Sequence, residues 1–405
     1  MVRNNHRGRM RDLKSLIDPL LPELVELRHE LHRCPELAYE EHETARRIVT
    51  HLKSVPGIDL RTGVAGTGVV AILGSKKGGP CVALRADMDA LPMEELGDHA
   101  HRSTVAGKMH ACGHDGHVTC LVGAARVLAS LGDELDGPVK FLFQPAEEGG
   151  AGGRRMCEEG VLDDPPVSAI FGLHAWPELA QGEIGVRQGG FLASADRLRI
   201  TVGGVGAHAA YPHQGIDTVL VASHIIVALQ SIAARNTDPL DSVVVTITQI
   251  HGGTADNIIP GEVKLSGTVR TLNSETRRLT LERIERVAVD TARAYGAAAE
   301  VMVDEGYPVL ENDPAATEYV RRVAAVTDRV AAVEIPPVMG GEDFAFYAQR
   351  VPASFFSLGI RPPGRETYPK LHQPDYDFHD DAIRLGVAMH VEIARRFWQE
   401  GPEKR

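Results

Sequence analysis

The stretch Val139-Lys140-Phe141-Leu142-Phe143-Gln144-Pro145-Ala146-Glu147-Glu148-Gly149-Gly150 decides how this chain folds. Its opening run is short, apolar but for Lys140, and stopped by Pro145 and the glycines. That pattern predicts a strand buried on both faces. Runs of the same kind stand at 69–73, 81–84 and 169–173, and Ala353-Ser354-Phe355-Phe356-Ser357-Leu358 reads as a further core strand. Helical spacing fills the intervals. Leu16, Ile17, Leu20, Leu21, Leu24, Leu27 and Leu31 mark a helix over 13–33, and others are expected at 40–52, 117–131, 215–235, 274–295, 315–328 and 380–399. Strands alternating with helices predict an α/β fold around a mostly parallel sheet.

The middle of the chain changes character. The run 197–202 alternates, 243–247 is rich in β-branched residues, and 263–270 alternates cleanly, with helices between and after. A strand–helix–strand–strand–helix order predicts a small open-faced α+β sandwich. We place this insert at 190–302, leaving 1–189 and 303–405 as the two parts of the larger domain. Two domains also suit 405 residues, too many for one ordinary core.

Composition narrows the function. A net charge of -12 argues against nonspecific nucleic-acid binding and polybasic docking to membranes. No apolar run is expected to approach the length of a bilayer span, and the basic stretch 1–14 leads into no signal-peptide core. Five cysteines, an odd number scattered through the first half, suit a reducing cytoplasm better than a disulfide framework. Cys112 alone has a chemically pointed setting.

Ligands of open α/β sheets bind beyond the carboxyl ends of the strands. Here those ends carry acids and histidines. The strand 81–84 runs into Asp87 and Asp89, 139–143 into Glu147 and Glu148, and 169–173 into His174. Beside them, Met109-His110-Ala111-Cys112-Gly113-His114-Asp115-Gly116-His117 reads as a tight, glycine-broken loop that gathers a thiol and imidazoles. Thiolate with imidazole suits a transition metal. Adjacent carboxylates repel, so Glu147 and Glu148 need positive charge nearby. A metal supplies it, leaving one Glu to ligate and its neighbour to act as a base. In the late segment 371–379, His372 or His379 could add a ligand, and the residues alone do not choose. His29 and His32 are three apart, not the four of a zincin HExxH, and are expected on a helix surface. Gly66-Thr67-Gly68 is not a nucleotide fingerprint, because a strand follows it.

Seven motifs in order, RADMDALP (85–92), MHACGHDGH (109–117), FQPAEEG (143–149), GLHAWP (172–177), GAHAAYPH (206–213), GGEDF (340–344) and LHQPDYDF (371–378), give the chain a wider likeness. It resembles the metal-dependent aminoacylase/carboxypeptidase family, in the branch of hippurate hydrolases and indole-acetyl-amino-acid hydrolases, over nearly its whole length. The resemblance implies two divalent metal ions, zinc or manganese first, with cobalt and nickel as alternatives. It implies Cys112, His114, Glu148, His174 and His372 as ligands, with the Cys112 thiolate bridging, Glu147 as general base and Asp87 orienting a ligand from behind. The inserted domain becomes a lid and a dimerisation surface, hence a homodimer or higher homo-oligomer. In it His208 would face the substrate carbonyl. Asn257 and Arg270 would bind substrate, Arg270 by a free carboxylate, and Gly340 and Gly341 would lie along the substrate backbone. His379 stands where relatives commonly carry Asn, which points to a supporting or surface role. His117 begins the next helix and stays outside the ligand set, and His213 is read as a turn residue. The implied reaction is hydrolysis of N-acyl amino acids, a small-molecule substrate, to a carboxylic acid and a free amino acid. A related metallo-exopeptidase, a carbamoyl-amino-acid hydrolase or a catalytically silent metal-binding scaffold are the alternatives.

Overall fold

The computed structural model describes residues 12–402. The first eleven residues of the basic N-terminal stretch, and with them most of the expectation about a signal peptide, lie outside the described residues. The chain divides into two compact units. One comprises Met1–Arg187, Asn312–Ile335 and Tyr347–Arg405, the other Gln188–Glu311 and Pro336–Phe346.

The first unit holds an eight-stranded sheet in the spatial order Ile58–Val64, Gly68–Leu73, Val139–Gln144, Cys81–Asp87, Val167–Ala180, Ala353–Arg361, Glu183–Val186 and Ala331–Glu334. Its four central strands run parallel. Antiparallel pairs join them to their neighbours on either side. Cys81–Asp87 and Val139–Gln144 are buried along their whole length. A strand covered on both faces has no polar side to show, which is why these segments read as apolar runs. Ile58–Val64, by contrast, is a half-exposed edge strand carrying Asp59 and Arg61, so no apolar run announced it. Helices Leu21–Arg33, His114–Ser130, Pro314–Val326 and Ala382–Glu400 build the core with it, through Leu24, Leu27, Leu121, Val320, Val387 and their neighbours. Each such side chain contributes about 1.5–3 kcal/mol by leaving water.

Register then sets the functional end of the sheet. Asp87 lies opposite Gln144, and Arg85 opposite Gly172. Asp87 thus ends its strand, Glu147 follows its own, and His174 lies within Val167–Ala180 at the level of Asp87, on three adjacent parallel strands.

Two expectations need correction here. The segment 109–117 is not all loop, because helix His114–Ser130 already begins at His114. Gly113, at φ 86°, makes the left-handed turn into it. Gly116 sits in the first turn because a Cβ there would stand 2.3 Å from the Phe378 ring. The glycines thus serve close packing and do not break the helix. His32 is also not a surface residue: it is fully buried, held by acids that the helix periodicity could not show.

The second unit is an antiparallel sheet in the order Val243–Gly252, Glu262–Thr271, Ala195–Gly203 and Ala298–Tyr307. Helices Thr218–Ser231 and Ser274–Ala294 share a core with it, built from Leu198, Ile200, Ile225, Leu229, Val269 and Ile284. The fourth strand, alternately exposed and part-buried, was not expected. The unit also takes in 336–346, which the sequence reading had left in the part spanning 303–405. Ala193 N–H bonds the Gly340 carbonyl at 2.8 Å, and Leu192 bridges Val338, which ties this segment in. The expectation of no bilayer-length apolar run also needs correction. Helix Thr218–Asn236 is long and apolar enough by length and composition. One of its faces, with Val221, Ala222, Ile225, Leu229 and Ile232, is buried within this unit.

Candidate metal centre

The Glu147–Glu148 elbow is built by backbone geometry. Ala146 adopts a left-handed φ of 55°, and its N–H bonds Glu41 Oε1 at 2.8 Å. Thr67 donates its hydroxyl to the other Glu41 oxygen at 2.5 Å. Asp89 then accepts both following amides, Glu147 N–H at 3.0 Å and Glu148 N–H at 2.9 Å. Sequence reading missed Glu41 and Asp89 as positioning residues. Asp89, the second acid of RADMDALP, carried a signal, whereas Glu41 had none.

The donor atoms converge around this elbow. Cys112 Sγ lies 3.4 Å from His174 Nε2. His372 Nε2 stands 3.4 Å from Glu148 Oε1, and His114 Nε2 4.0 Å from the same oxygen. One ligand atom each from Cys112, Glu148 and His372 falls within 4.8 Å of the others, and so do those of His114, Glu147 and Glu148. Of the two late histidines, His372 lies beside the elbow, while His379 Nδ1 accepts from the Gln181 amide at 2.8 Å.

The tautomers suit ligation. His114 Nδ1–H donates to the Asp89 carbonyl at 2.9 Å and His174 Nδ1–H to the Ala175 carbonyl at 2.8 Å. Both Nε2 atoms are then turned to the cluster, that of His174 with its lone pair and that of His114 with one once it gives up its proton. His114 Nε2 and Glu148 Oε1 are buried without any hydrogen bond. A folded interior rarely leaves such atoms unpartnered. A thiolate, imidazole nitrogens and a carboxylate fit a divalent transition ion. His117 does not compete, because its Nδ1–H bonds Asp87 Oδ1 at 2.6 Å and its Nε2 accepts Ala175 N–H at 2.8 Å. Asp87 also pairs with Arg85 at 2.6 Å and comes no nearer than 3.7 Å to His114 Nε2. The group that accepts from His114 Nδ1–H is thus the Asp89 carbonyl, while Asp87 holds His117 and Arg85.

Electrostatics sharpen the site. Burial, with Glu148, Glu147 and Asp87 adding to it, pushes the Cys112 thiol well above its usual range. Burial opposes charge on His114, but Asp87, Asp89 and Glu148 outweigh it and lift the imidazole to about 10. Burial and the neighbouring His117 hold His174 well below its usual range, so it stays neutral.

In the second unit, His208 and Asn257 lie together: His208 pairs with Ile258, and Ala209 N–H bonds the Asn257 carbonyl at 2.9 Å. Ala210 N–H donates to His208 Nδ1 at 3.1 Å, leaving the proton on Nε2. Arg270 and Gly341 form another pair, since a Cβ at Gly341 would stand 3.4 Å from Arg270 Nη1. Gly340 contributes its carbonyl to the Ala193 amide. His213 sits in the exposed turn Pro212–Gln214.

A parallel-centred sheet whose strand ends hold this donor set defines a metal-binding α/β enzyme. The sequence model of peptidase family M20/M25/M40 matches residues 83–396, and the chain belongs to that family. It is 40% identical over 382 residues to IAA-amino acid hydrolase ILR1-like 4 of Arabidopsis thaliana, covering 93% of this chain and 86% of the relative. It is 40% identical over 389 residues to N-acetyl-L-cysteine deacetylase of Bacillus subtilis, covering 96% and 91%. Among solved structures, a dinuclear metal-binding M20-family peptidase of Bacillus subtilis matches with a TM-score of 0.83 and 35% identity, over 93% of this chain and 98% of that one.

The protonation pattern carries a prediction. His114, raised to about 10, holds its proton in the metal-free protein near neutrality, and Cys112 holds its thiol proton. The His114 ion pairs stabilise the metal-free fold fully below pH ~6.5, and that stability is lost as pH rises through about 10. An incoming ion competes with these protons. Zinc affinity should therefore rise from pH 6 to 9. Calorimetry in buffers of different ionisation enthalpy should record proton release on binding. Binding that is independent of pH, with no proton released, would contradict this protonation pattern.

Proposed function

We propose that the protein is a metal-dependent amidohydrolase that cleaves N-acyl amino acids to a carboxylic acid and a free amino acid. The observation that carries this reading is the elbow of two neighbouring carboxylates beside the unpartnered His114 Nε2 and the Cys112–His174 pair. Relatives named for hydrolysing amino-acid conjugates and N-acetylcysteine support the substrate class. A solved relative described as a dinuclear metal-binding peptidase supports a two-ion centre. Cys112, His114, Glu148, His174 and His372 would hold the ions, and zinc or manganese would suit such a donor set. When bound, the ions supply Lewis acidity for the attacking water and the scissile carbonyl.

The remaining work falls to the chain. Glu147 takes the proton of the attacking water and passes it to the leaving amine. His208, with its proton on Nε2, donates a hydrogen bond to the developing oxyanion. Arg270 receives the substrate carboxylate in a two-pronged pair that a lysine could not match. Asn257, Gly340 and Gly341 line the amino-acid portion, and the bare Gly341 leaves the guanidinium approachable. Homodimerisation through the inserted unit belongs to the same proposal, supported by the exposed Val227, Leu240 and Ile250 there. So does a cytoplasmic location, supported by five free cysteines.

Two measurements test these roles. Glu147→Gln should keep the metal content and lose about 10²–10⁴-fold in kcat, whereas Glu148→Gln should lose metal. Near-normal kcat for Glu147→Gln would move the base elsewhere. Arg270→Ala should weaken hydrolysis of free-acid substrates by roughly 2–5 kcal/mol in kcat/KM and spare the matched amides. Equal losses on both would make Arg270 a structural residue.

A further inference from the structure

A second group of histidines and acids lies in the first unit, on residues given no role above. His32 is fully buried, and its Nδ1–H donates to Asp115 Oδ2 at 2.9 Å. Its Nε2 faces Glu95 Oε1 at 3.1 Å. Burial opposes charge on His32, but Asp115 and Glu95 outweigh it and lift the imidazole to about 9, so Nε2–H is donated to Glu95. His99 Nε2 stands 2.8 Å from the same Glu95 oxygen, in a geometry that leaves both of its ring nitrogens without a hydrogen bond. The other Glu95 oxygen is taken by Ser103 N–H at 2.6 Å. Glu95 Oε1 is thus turned to the two rings. A ligand atom from each of His32, His99 and Asp377 lies within 4.8 Å of the other two.

Charge points the same way. One buried guanidinium, Arg28, reaches Asp115, Asp377 and Asp380 at 3.1, 2.8 and 2.5 Å, and Glu95 joins the cluster without it. The acids outnumber their fixed cation. A proton on His32 meets part of that shortfall. A divalent ion displacing it would bring two positive charges and bond both rings. Donor atoms around a tetrahedral ion at ~2.0–2.1 Å stand roughly 3.3 Å apart; the Glu95 contacts at 3.1 and 2.8 Å are close to that, and the His32, His99 and Asp377 atoms, within 4.8 Å, would need to close up. The Asp115–His32 contact is the carboxylate–histidine pairing that raises the basicity of a metal-bound imidazole.

We propose that His32, Glu95, His99 and Asp377 form a binding site for one divalent transition ion of the zinc class, separate from the Cys112 centre. Its ligands come from helix Leu21–Arg33, the loop at 94–103 and the late segment carrying His372. Leu96 N–H already bonds the Pro374 carbonyl at 2.7 Å, so the ion would lock a contact that exists. The role is to pin the His372-bearing segment to helix Leu21–Arg33.

The test compares zinc content after loading and gel filtration of the full chain. Relative to wild type, His99→Ala and Glu95→Gln should each carry one zinc equivalent fewer. The cobalt-loaded variants should keep the thiolate-to-cobalt absorption that reports Cys112. His99 lies on a part-exposed loop, so its replacement leaves the core untouched, and circular dichroism checks both folds. Equal zinc content in all three proteins would overturn the site. So would loss of the cobalt–thiolate band together with the zinc, which would assign the lost ion to the Cys112 centre.

Discussion

Asp89 accepts the backbone amides of both Glu147 and Glu148. That pair of bonds is the constraint on which the rest of the centre depends. It holds two carboxylates at the end of one parallel strand, where their mutual repulsion would otherwise open the loop. The left-handed Ala146 and its bond to Glu41 complete the turn. Burying that much negative charge is costly unless it is paired. His114 answers part of the demand in the metal-free protein, and a divalent ion answers it more fully. The same logic explains why the thiol of Cys112 is held protonated by its acidic surroundings until a cation arrives.

The parallel centre of the sheet makes this arrangement possible. Parallel neighbours end at the same edge, so chemistry placed after each strand meets at one level. Asp87 closes one strand, Glu147 follows the next, and His174 lies in a third at the level of Asp87. The helix His114–Ser130 then brings its first residue to the same place, through a glycine turn that packing against Tyr376 and Phe378 keeps free of a side chain.

Much of this was legible in the residues because buried parallel strands leave unbroken apolar runs, and their polar ends stand out against them. Where structure is half exposed the pattern weakens. The edge strand Ile58–Val64 and the strand Ala298–Tyr307 alternate with charges and gave no comparable mark. The start of the helix at His114 was obscured because glycine serves both turns and close packing, and only the Phe378 ring tells the two apart. His32 looked like a surface residue because its acids, Glu95 and Asp115, are distant in sequence. That His372 comes near Glu148 and His379 near Gln181 likewise needed the fold, since the two rings stand only seven positions apart in the chain.

The central claim is that ligands gathered at the carboxyl edge of the sheet hold divalent ions that this chain uses to hydrolyse N-acyl amino acids. The most direct measurement strips the protein with a chelator, then follows release of free amino acid from hippurate and N-acetyl-methionine as zinc, manganese, cobalt or nickel is returned. Activity should vanish on chelation and return with at least one ion, in proportion to metal bound. Full turnover by protein shown by elemental analysis to hold no transition metal would contradict the account.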